Sequence, residues 1–329
     1  MSRRLQIVDS NAIETRCGAW VAQCPSLLNV FTPRPGKPNG NDPYIDFGGT
    51  KLKGIPYERM EADLKSVDKM IRKAAKDDRQ MGKVGVLGCI YRMGGGGWGK
   101  HPKTKDVVKT GLWNYAEGYG VVMTQDQAHK IVDIFRESYI EIVQTWFFIE
   151  KSIAEVLQGE RTVRYLGPDN CIKIDKVTID GRKPLLRIQL PSGRYLHYLD
   201  SSIEIVKMPW NKKNQETGED EDVYKPGFTY YGLNQDTKQW SLIVSHGGKV
   251  FENIVQGIAR DVLADKLLKL EDAGAPVVMH VHDEPVCEVQ DDPFSLTIEE
   301  MIDIMSKPIS WAPGLPLGAD GFESKYYHK

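Results

Sequence analysis

The run from Ala275 to Val289 constrains this chain most: an apolar stretch broken once, by His282, Asp283, Glu284 and Pro285. The first arm, Pro276 to Met279, is too short for a helix and too apolar for a surface strand, and Val-rich runs between turn residues favour strands. It is expected to be a buried strand. Pro285 has no N–H to give to a ladder, so the turn is expected on His282 to Pro285, with Val286 to Val289 returning antiparallel. Asp283 and Glu284 then sit at a hairpin tip. Adjacent acids repel each other and resist burial, which implies an exposed rim or a compensating cation. On these residues alone three readings stay open: a solvated turn, a divalent metal, and a His-x-His site from His280, His282 and Glu284. The last needs further ligands from a chain with only 7 histidines, mostly scattered.

A length of 329 residues suits one or two domains, and 41% hydrophobic with 27% charged residues excludes disordered and fibrous classes. No apolar run is long enough to span a bilayer, and Met1 to Arg4 leads into a strand rather than a signal peptide, so a cytoplasmic protein is expected. Five cysteines without Cys-x-x-Cys spacing argue against a disulfide framework or a structural zinc site and for reduced core thiols. The net charge of -2 hides an asymmetry: from Lys51 to Thr110, 15 Lys and Arg face 7 Asp and Glu. A basic segment in an otherwise acidic chain suits an anionic ligand such as nucleic acid or nucleotide, although a solvated charged helix looks the same.

In chain order, Leu5 to Val8 reads as a strand ending at Asp9, and Ile13 to Cys24 as a helix stopped by Pro25. Asp9 or Ser10 could simply cap that helix, with Glu14 in its first turn. Asn29 to Thr50 is a Pro/Gly-rich connection, and Pro56 to Asp78 a charged helix. In the stretch that follows, Arg79, Lys83, Leu87 and Tyr91 recur every four residues, a helical stripe about 18 Å long. Two cations about 6 Å apart along the axis suit successive phosphates, with an apolar and an aromatic residue beneath a base. Three glycines in this helix are costly, and make sense if it lies against another backbone or a ligand, or moves. Gly94 to Lys100 imitates a phosphate-binding loop, but His101 stands where a metal-binding Ser or Thr belongs and a helix precedes it, so a flexible turn is expected.

Thr124 to Gln158 reads as two packed helices, Val163 to Tyr198 as short strands, and Lys207 to Asp222 as a polar loop. His246 to Leu270 is helical, with Gln256 and Arg260 on one face; Ile298 to Met305 is a further helix and Trp311 to Lys329 a Gly/Pro-rich tail.

Asp9-x4-Glu14, the Arg79, Lys83, Leu87, Tyr91 stripe and His282-Asp283-Glu284, in that order, resemble the three polymerase motifs of family A DNA polymerases. The phrases around them are similar to the phage-encoded branch: Asn41-Asp42-Pro43-Tyr44, Leu190-Pro191-Ser192-Gly193-Arg194, Gly247-Gly248-Lys249, Ala259-Arg260-Asp261 and Trp311-Ala312-Pro313-Gly314. The resemblance runs from about Leu5 to the end. It implies an α+β, right-hand polymerase fold: an antiparallel palm sheet flanked by helices, with mainly helical fingers. The palm would be residues 1–48 and 240–329; the fingers would be 49–239, with the motif helix at 79–92 and a β-rich insertion at 160–225.

The same resemblance implies roles. Asp9, the Ser10 carbonyl and Asp283 would hold two Mg²⁺ ions, with Glu284 in support. Arg79 and Lys83 would clamp the triphosphate, Lys83 among the catalytic groups, and Leu87 and Tyr91 would pack on the nascent base pair. Glu14 would fill the space of a ribose 2′-hydroxyl. Gln256, Arg260 and His282 would contact DNA. The implied partners are primer-template DNA, dNTPs and, because the family's thumb and 3′-5′ exonuclease precede its first motif, a second chain that supplies them; a phage protein would work in the host bacterial cytoplasm.

Four positions depart from the pattern. Leu87 replaces Phe or Tyr, which implies poor acceptance of dideoxynucleotides; Ser10 and Ala12 replace Tyr and Gln; Arg92 replaces Gly. A single-subunit RNA polymerase of related architecture, or a non-catalytic DNA-binding replication subunit, are the alternatives; Glu14 and the His-Asp-Glu turn favour DNA synthesis over the first, the retained aspartates disfavour the second.

Overall fold

A computed structural model describes every residue except 1, 2, 101–103, 105, 179, 214–219, 236 and 329, and only the backbone of 209–213 and 220. The protein is mixed α/β with antiparallel sheets, and it divides into two units, Met1–Val143 with Val255–Lys329, and Gln144–Ile254.

Strand β1 (Arg3–Ser10) opens the chain, followed by α1 (Ile13–Val21) and the short α2 (Pro25–Leu28). The expected bare connection carries structure. Asp42 caps α3 (Pro43–Ile45), and a wide π-helical turn covers Asp46–Lys51. The charged helix expected from Pro56 divides into α4 (Tyr57–Leu64) and α5 (Lys69–Cys89), because Asp68 accepts the N–H groups of Met70 and Ile71 and starts a new helix. Arg79, Lys83 and Leu87 therefore share one helix with the charged segment. Tyr91 lies in the turn beyond it, so the helix stops short of residue 92.

The glycine run leads into a small hairpin, β2 (Trp98–Lys100) with β3 (Val107–Lys109); His101 lies outside the described residues. Then come α6 (Gly111–Gly118), α7 (Gln125–Ser138), opened by a Thr124–Gln127 capping box, and α8 (Ile140–Gln158).

Within Gln144–Ile254, β4 (Val163–Leu166), β5 (Ile172–Val177), β6 (Leu185–Gln189), β7 (Tyr195–Lys213), β8 (Asp220–Leu233) and β9 (Trp240–Ser245) form one antiparallel sheet in sequence order. The polar loop expected over 207–222 is corrected: its described ends are the long arms of the β7–β8 hairpin, where Lys207 pairs with Asp222 at 2.6 Å. Such a ribbon needs no apolar face here, so its sequence lacks the alternation that marks a strand.

The chain continues through α9 (Gly247–Asp272), β10 (Val277–Val281), β11 (Glu284–Gln290), α10 (Ile298–Ser306) and β12 (Ala319–Ser324). The tail is thus more than a tail: β12 completes a four-stranded sheet of order β10-β11-β1-β12. With neighbours on both edges, β1 buries Gln6, Ile7 and Val8 almost completely. Met301 and Met305 of α10 join Val8, Leu270, Cys287 and Val289 in the core, each worth about 1.5–3 kcal/mol when fully buried.

The expectation of a buried first arm is also corrected. β10 is an edge strand, and Val278 and Met279 are 53% and 40% exposed. Four of the five cysteines are buried, and burial raises the thiols of Cys89 and Cys287 to about 12, far from the reactive thiolate. No helix among the described residues is long and apolar enough to cross a membrane.

Candidate functional site

Asp9 and Ser10 are the last residues of β1, opposite Asp320 and Ala319 of β12. The chain then turns sharply: Ala12 takes φ 48 and is the N-cap of α1, with no side chain capping the helix. Neither Asp9 nor Ser10 is therefore a helix cap, which removes the structural role they shared on sequence grounds. Arg16 holds the turn from within α1. Its guanidinium, 2% exposed, donates to the carbonyls of Asn11 at 2.7 Å, Asn39 at 2.8 Å and Pro316 at 3.4 Å. Burial lowers its pKa to about 10, so it is charged at neutral pH, with three backbone carbonyls as acceptors, the Asp320 carboxylate nearby and the Phe31 ring 4.3 Å beneath it.

The β10–β11 hairpin is tighter than expected. Val281 pairs with Glu284 across a two-residue turn, His282–Asp283, with His282 at φ 57. Glu284 and Pro285 thus belong to β11, and Glu284, placed on an exposed rim by sequence, is 4% exposed and accepts a 2.9 Å hydrogen bond from the Tyr327 hydroxyl. Only Asp283 remains at the tip beside His282. The ladder aligns Ile7 with Val286, so Asp9 and the tip come to the same end of the sheet.

Helix α5 supplies the third part. A Cβ on Gly82 would stand 2.1 Å from the Tyr44 carbonyl and 2.7 Å from the Gly48 nitrogen, and one on Gly48 would stand 2.2 Å from the Asp78 carbonyl. The helix therefore runs against the backbone of 44–48, which accounts for glycine there. Gly85 and Gly88 similarly admit the Phe47 ring and the Leu112 side chain. Arg79 donates through Nε to Asp42 Oδ2 at 2.7 Å, while Lys83 makes no ion pair among the described residues. Tyr91, although past the helix end, donates its hydroxyl to Glu14 Oε2 at 3.0 Å.

These parts open on one cleft of about 550 Å³. Asp9, Ser10 and Glu14 line it from β1 and α1, Asp283 and His282 from the hairpin tip. Arg79, Lys83 and Leu87 face them from α5, and Gln256 and Arg260, one turn apart and exposed, come from α9. Of the expected site residues, Tyr91 reaches the cleft through Glu14, and Glu284 lies beneath the tip.

No group of three or more His, Cys, Asp or Glu able to hold a metal occurs among the described residues. Mg²⁺ is commonly held by one or two carboxylates and completed by water and substrate phosphate. Asp9 and Asp283, hard oxygen donors on a cleft shared with two cations, fit it. The His-x-His reading loses its support, since Glu284 is buried and tied to Tyr327.

Three supports were missed from sequence. Asp42 had a visible signal, an Asp before Pro at a helix start. Arg16 had one too, a lone cation in a helix buried along nearly all of its length. Asp320, held by Asn11 at 2.7 Å and Asn39 at 3.4 Å, had none, because strand pairing brings it beside Asp9.

No protein-family model matches the sequence. The chain is 31% identical over 323 residues to a DNA polymerase of Bacillus phage SP02, covering 98% of this chain and 41% of that protein. Among solved structures, the POL domain of Pol1 from M. smegmatis, in complex with DNA primer-template and dNTP, matches at a TM-score of 0.49 and 12% identity, over 98% of this chain and 39% of that one. That structural likeness is too slight to bear on function. The sequence likeness runs along 98% of this chain, which spans less than half the length of that phage protein.

Proposed function

We propose that the cleft is the nucleotidyl-transfer site of a family A, DNA-directed DNA polymerase, with palm from 1–48 and 240–329 and fingers from 49–239. The observation that carries the reading is the cleft itself: Asp9 at the end of β1 and Asp283 in the β10–β11 turn share a space of about 550 Å³ with Arg79 and Lys83, one helical turn apart on α5. Likeness to a phage DNA polymerase supports it.

In this reading Arg79 and Lys83 bind the triphosphate, and Lys83, with no ion pair among the described residues, is the better placed to meet charge on the leaving pyrophosphate. Leu87 lies under the nascent base pair. Glu14, fixed by Tyr91, occupies the space a 2′-hydroxyl would need. Asp9, Ser10 and Asp283 would hold two Mg²⁺ ions, whose chemistry there would be to acidify the primer 3′-hydroxyl and offset phosphate charge. Gln256, Arg260 and His282 border the path of the primer-template DNA. Glu284 acts from below, stiffening the tip through Tyr327. A second chain that supplies thumb and 3′-5′ exonuclease functions is the partner this reading proposes.

Primer extension tests the reading. With a thumb-bearing partner added, the parent extends a primer in Mg²⁺ and Asp283→Ala loses about a thousandfold or more, the scale of a lost electrostatic stabiliser or greater. Equal DNA binding by both proteins with no extension by either would leave a DNA-binding subunit instead.

A further inference from the structure

The pairing of Arg79 with Asp42 is more than a surface ion pair, because Asp42 serves two helices at once. Its Oδ1 accepts the N–H groups of Tyr44 at 2.7 Å and Ile45 at 3.2 Å, capping α3, and its Oδ2 accepts Arg79 Nε at 2.7 Å. Its own N–H donates to the Tyr57 hydroxyl of α4 at 2.9 Å. The carboxylate is thus fixed by α3 and α4 while it holds a side chain of α5. The pair is only partly exposed, Arg79 at 38% and Asp42 at 26%, and the Arg79 guanidinium stands 5.6 Å over the Tyr44 ring.

A guanidinium held by Nε on one side and by a ring on its face has lost most of its rotamer freedom. Its two Nη groups make no hydrogen bond among the described residues, and Arg79 lines the cleft. This is the fork that binds phosphate in a bidentate way. We propose that Asp42 is a positioning residue that presents the Nη fork of Arg79 to the triphosphate of the incoming nucleotide. The inference rests on the nucleotidyl-transfer reading of the cleft and adds a residue outside its three motifs. The entropy of ordering a long side chain is then spent in folding rather than in binding, so the effect falls on nucleotide affinity.

The two duties of Asp42 separate chemically. Asn caps a helix as well as Asp does, but with its one oxygen on the α3 N–H groups it turns an amide NH₂ toward Arg79 Nε, donor against donor. Asp42→Ser likewise keeps a cap and removes the carboxylate. Both variants should keep the parent's unfolding midpoint. They should raise the KM for dNTP in primer extension, and the Kd of the chain for inorganic tripolyphosphate, by roughly fivefold, with kcat changed less than twofold. In an Arg79→Ala background, Asp42→Asn should add nothing further.

An unchanged KM and Kd in Asp42→Asn, with both weakened by Arg79→Ala, overturns the inference and leaves the reading of the cleft standing. Full additivity of the two substitutions overturns it too, as does a matched fall of kcat and unfolding midpoint in both the Asn and the Ser variant. If Arg79→Ala leaves both constants unchanged, the triphosphate role of Arg79 fails, and this inference fails with it.

Discussion

The Tyr91 hydroxyl donates to Glu14 Oε2 at 3.0 Å, joining the turn after α5 to the first turn of α1. Two motif residues 77 positions apart thereby share one hydrogen bond, and Glu14 lines the cleft. If Glu14 excludes a 2′-hydroxyl, the bond fixes where its carboxylate stands. Glu14→Ala should raise ribonucleotide use relative to deoxynucleotide use by about 10- to 100-fold in kcat/KM, and Tyr91→Phe by less, since the carboxylate remains but loses an anchor worth about 1 kcal/mol. Single-nucleotide insertion kinetics with paired rNTP and dNTP substrates decide it. Unchanged discrimination in Glu14→Ala would remove that residue from sugar selection.

Asp9 and Asp283 should act together on the divalent cation. Replacing either by Asn keeps the shape and removes a charge, so the Mg²⁺ concentration for half-maximal extension should rise about tenfold or more. Mn²⁺, which binds oxygen sites more tightly in the usual order of divalent ions, should recover part of the loss. A metal titration of extension rate in each variant provides the check, and chelation should abolish activity in all of them.

Arg16 should matter to stability out of proportion to its place on a helix. Arg16→Met leaves the carbonyls of Asn11, Asn39 and Pro316 without this partner inside the protein, at about 1–3 kcal/mol for each group that water does not reach. Urea unfolding should show a loss of about 3 kcal/mol or more. Extension should fall as well, because the same turn joins the end of β1, with Asp9 and Ser10, to α1 with Glu14.

Gly82→Ala should be more disruptive than a helix-favouring substitution ordinarily is. The added methyl meets the Tyr44 carbonyl and the Gly48 nitrogen, both backbone, which cannot swing aside as a side chain would. Ala gains about 1 kcal/mol of helix propensity, but separating α5 from residues 44–48 costs more, so a net loss of about 1–3 kcal/mol is expected from thermal unfolding.

Lys266 gives a pH signature. Fully buried in α9, it donates to the carbonyls of Ile304 and Lys307 at 2.9 and 2.5 Å, and burial lowers its pKa to about 8 from 10.5. Between those values the unfolded chain binds more protons than the folded one, so this residue makes stability rise with pH from about 8 to 10.5 and adds no slope below. The stability of the parent relative to Lys266→Met should therefore climb across that window, by about 1–3 kcal/mol. A flat difference in denaturant titrations at pH 7.5, 9 and 10.5 would contradict it.

Much of the fold was legible where periodicity was strong. The helix after β1, the two helices of 124–158, the helix after His246 and the return strand after the turn all follow from apolar spacing and caps. The β7–β8 ribbon was not, because its polar arms carry no one-sided pattern; nor was β12, hidden among glycines and prolines. The division at Asp68 was missed since charge continues across it, although Asp followed by a helical run is a capping signal.

The sequence alone determined which chemistries this chain holds and in what order: acids after the first strand, cations on a helix, acids again at a hairpin. Local patterns encode these, since a strand end, a four-residue stripe and a turn are each set by near neighbours. Tertiary structure decided which groups act together. It put Asp9 and Asp283 on one cleft, sent Glu284 into the core, tied Tyr91 to Glu14, and gave Arg79 to Asp42, because strand register and helix packing set distances between residues that sequence separation does not limit.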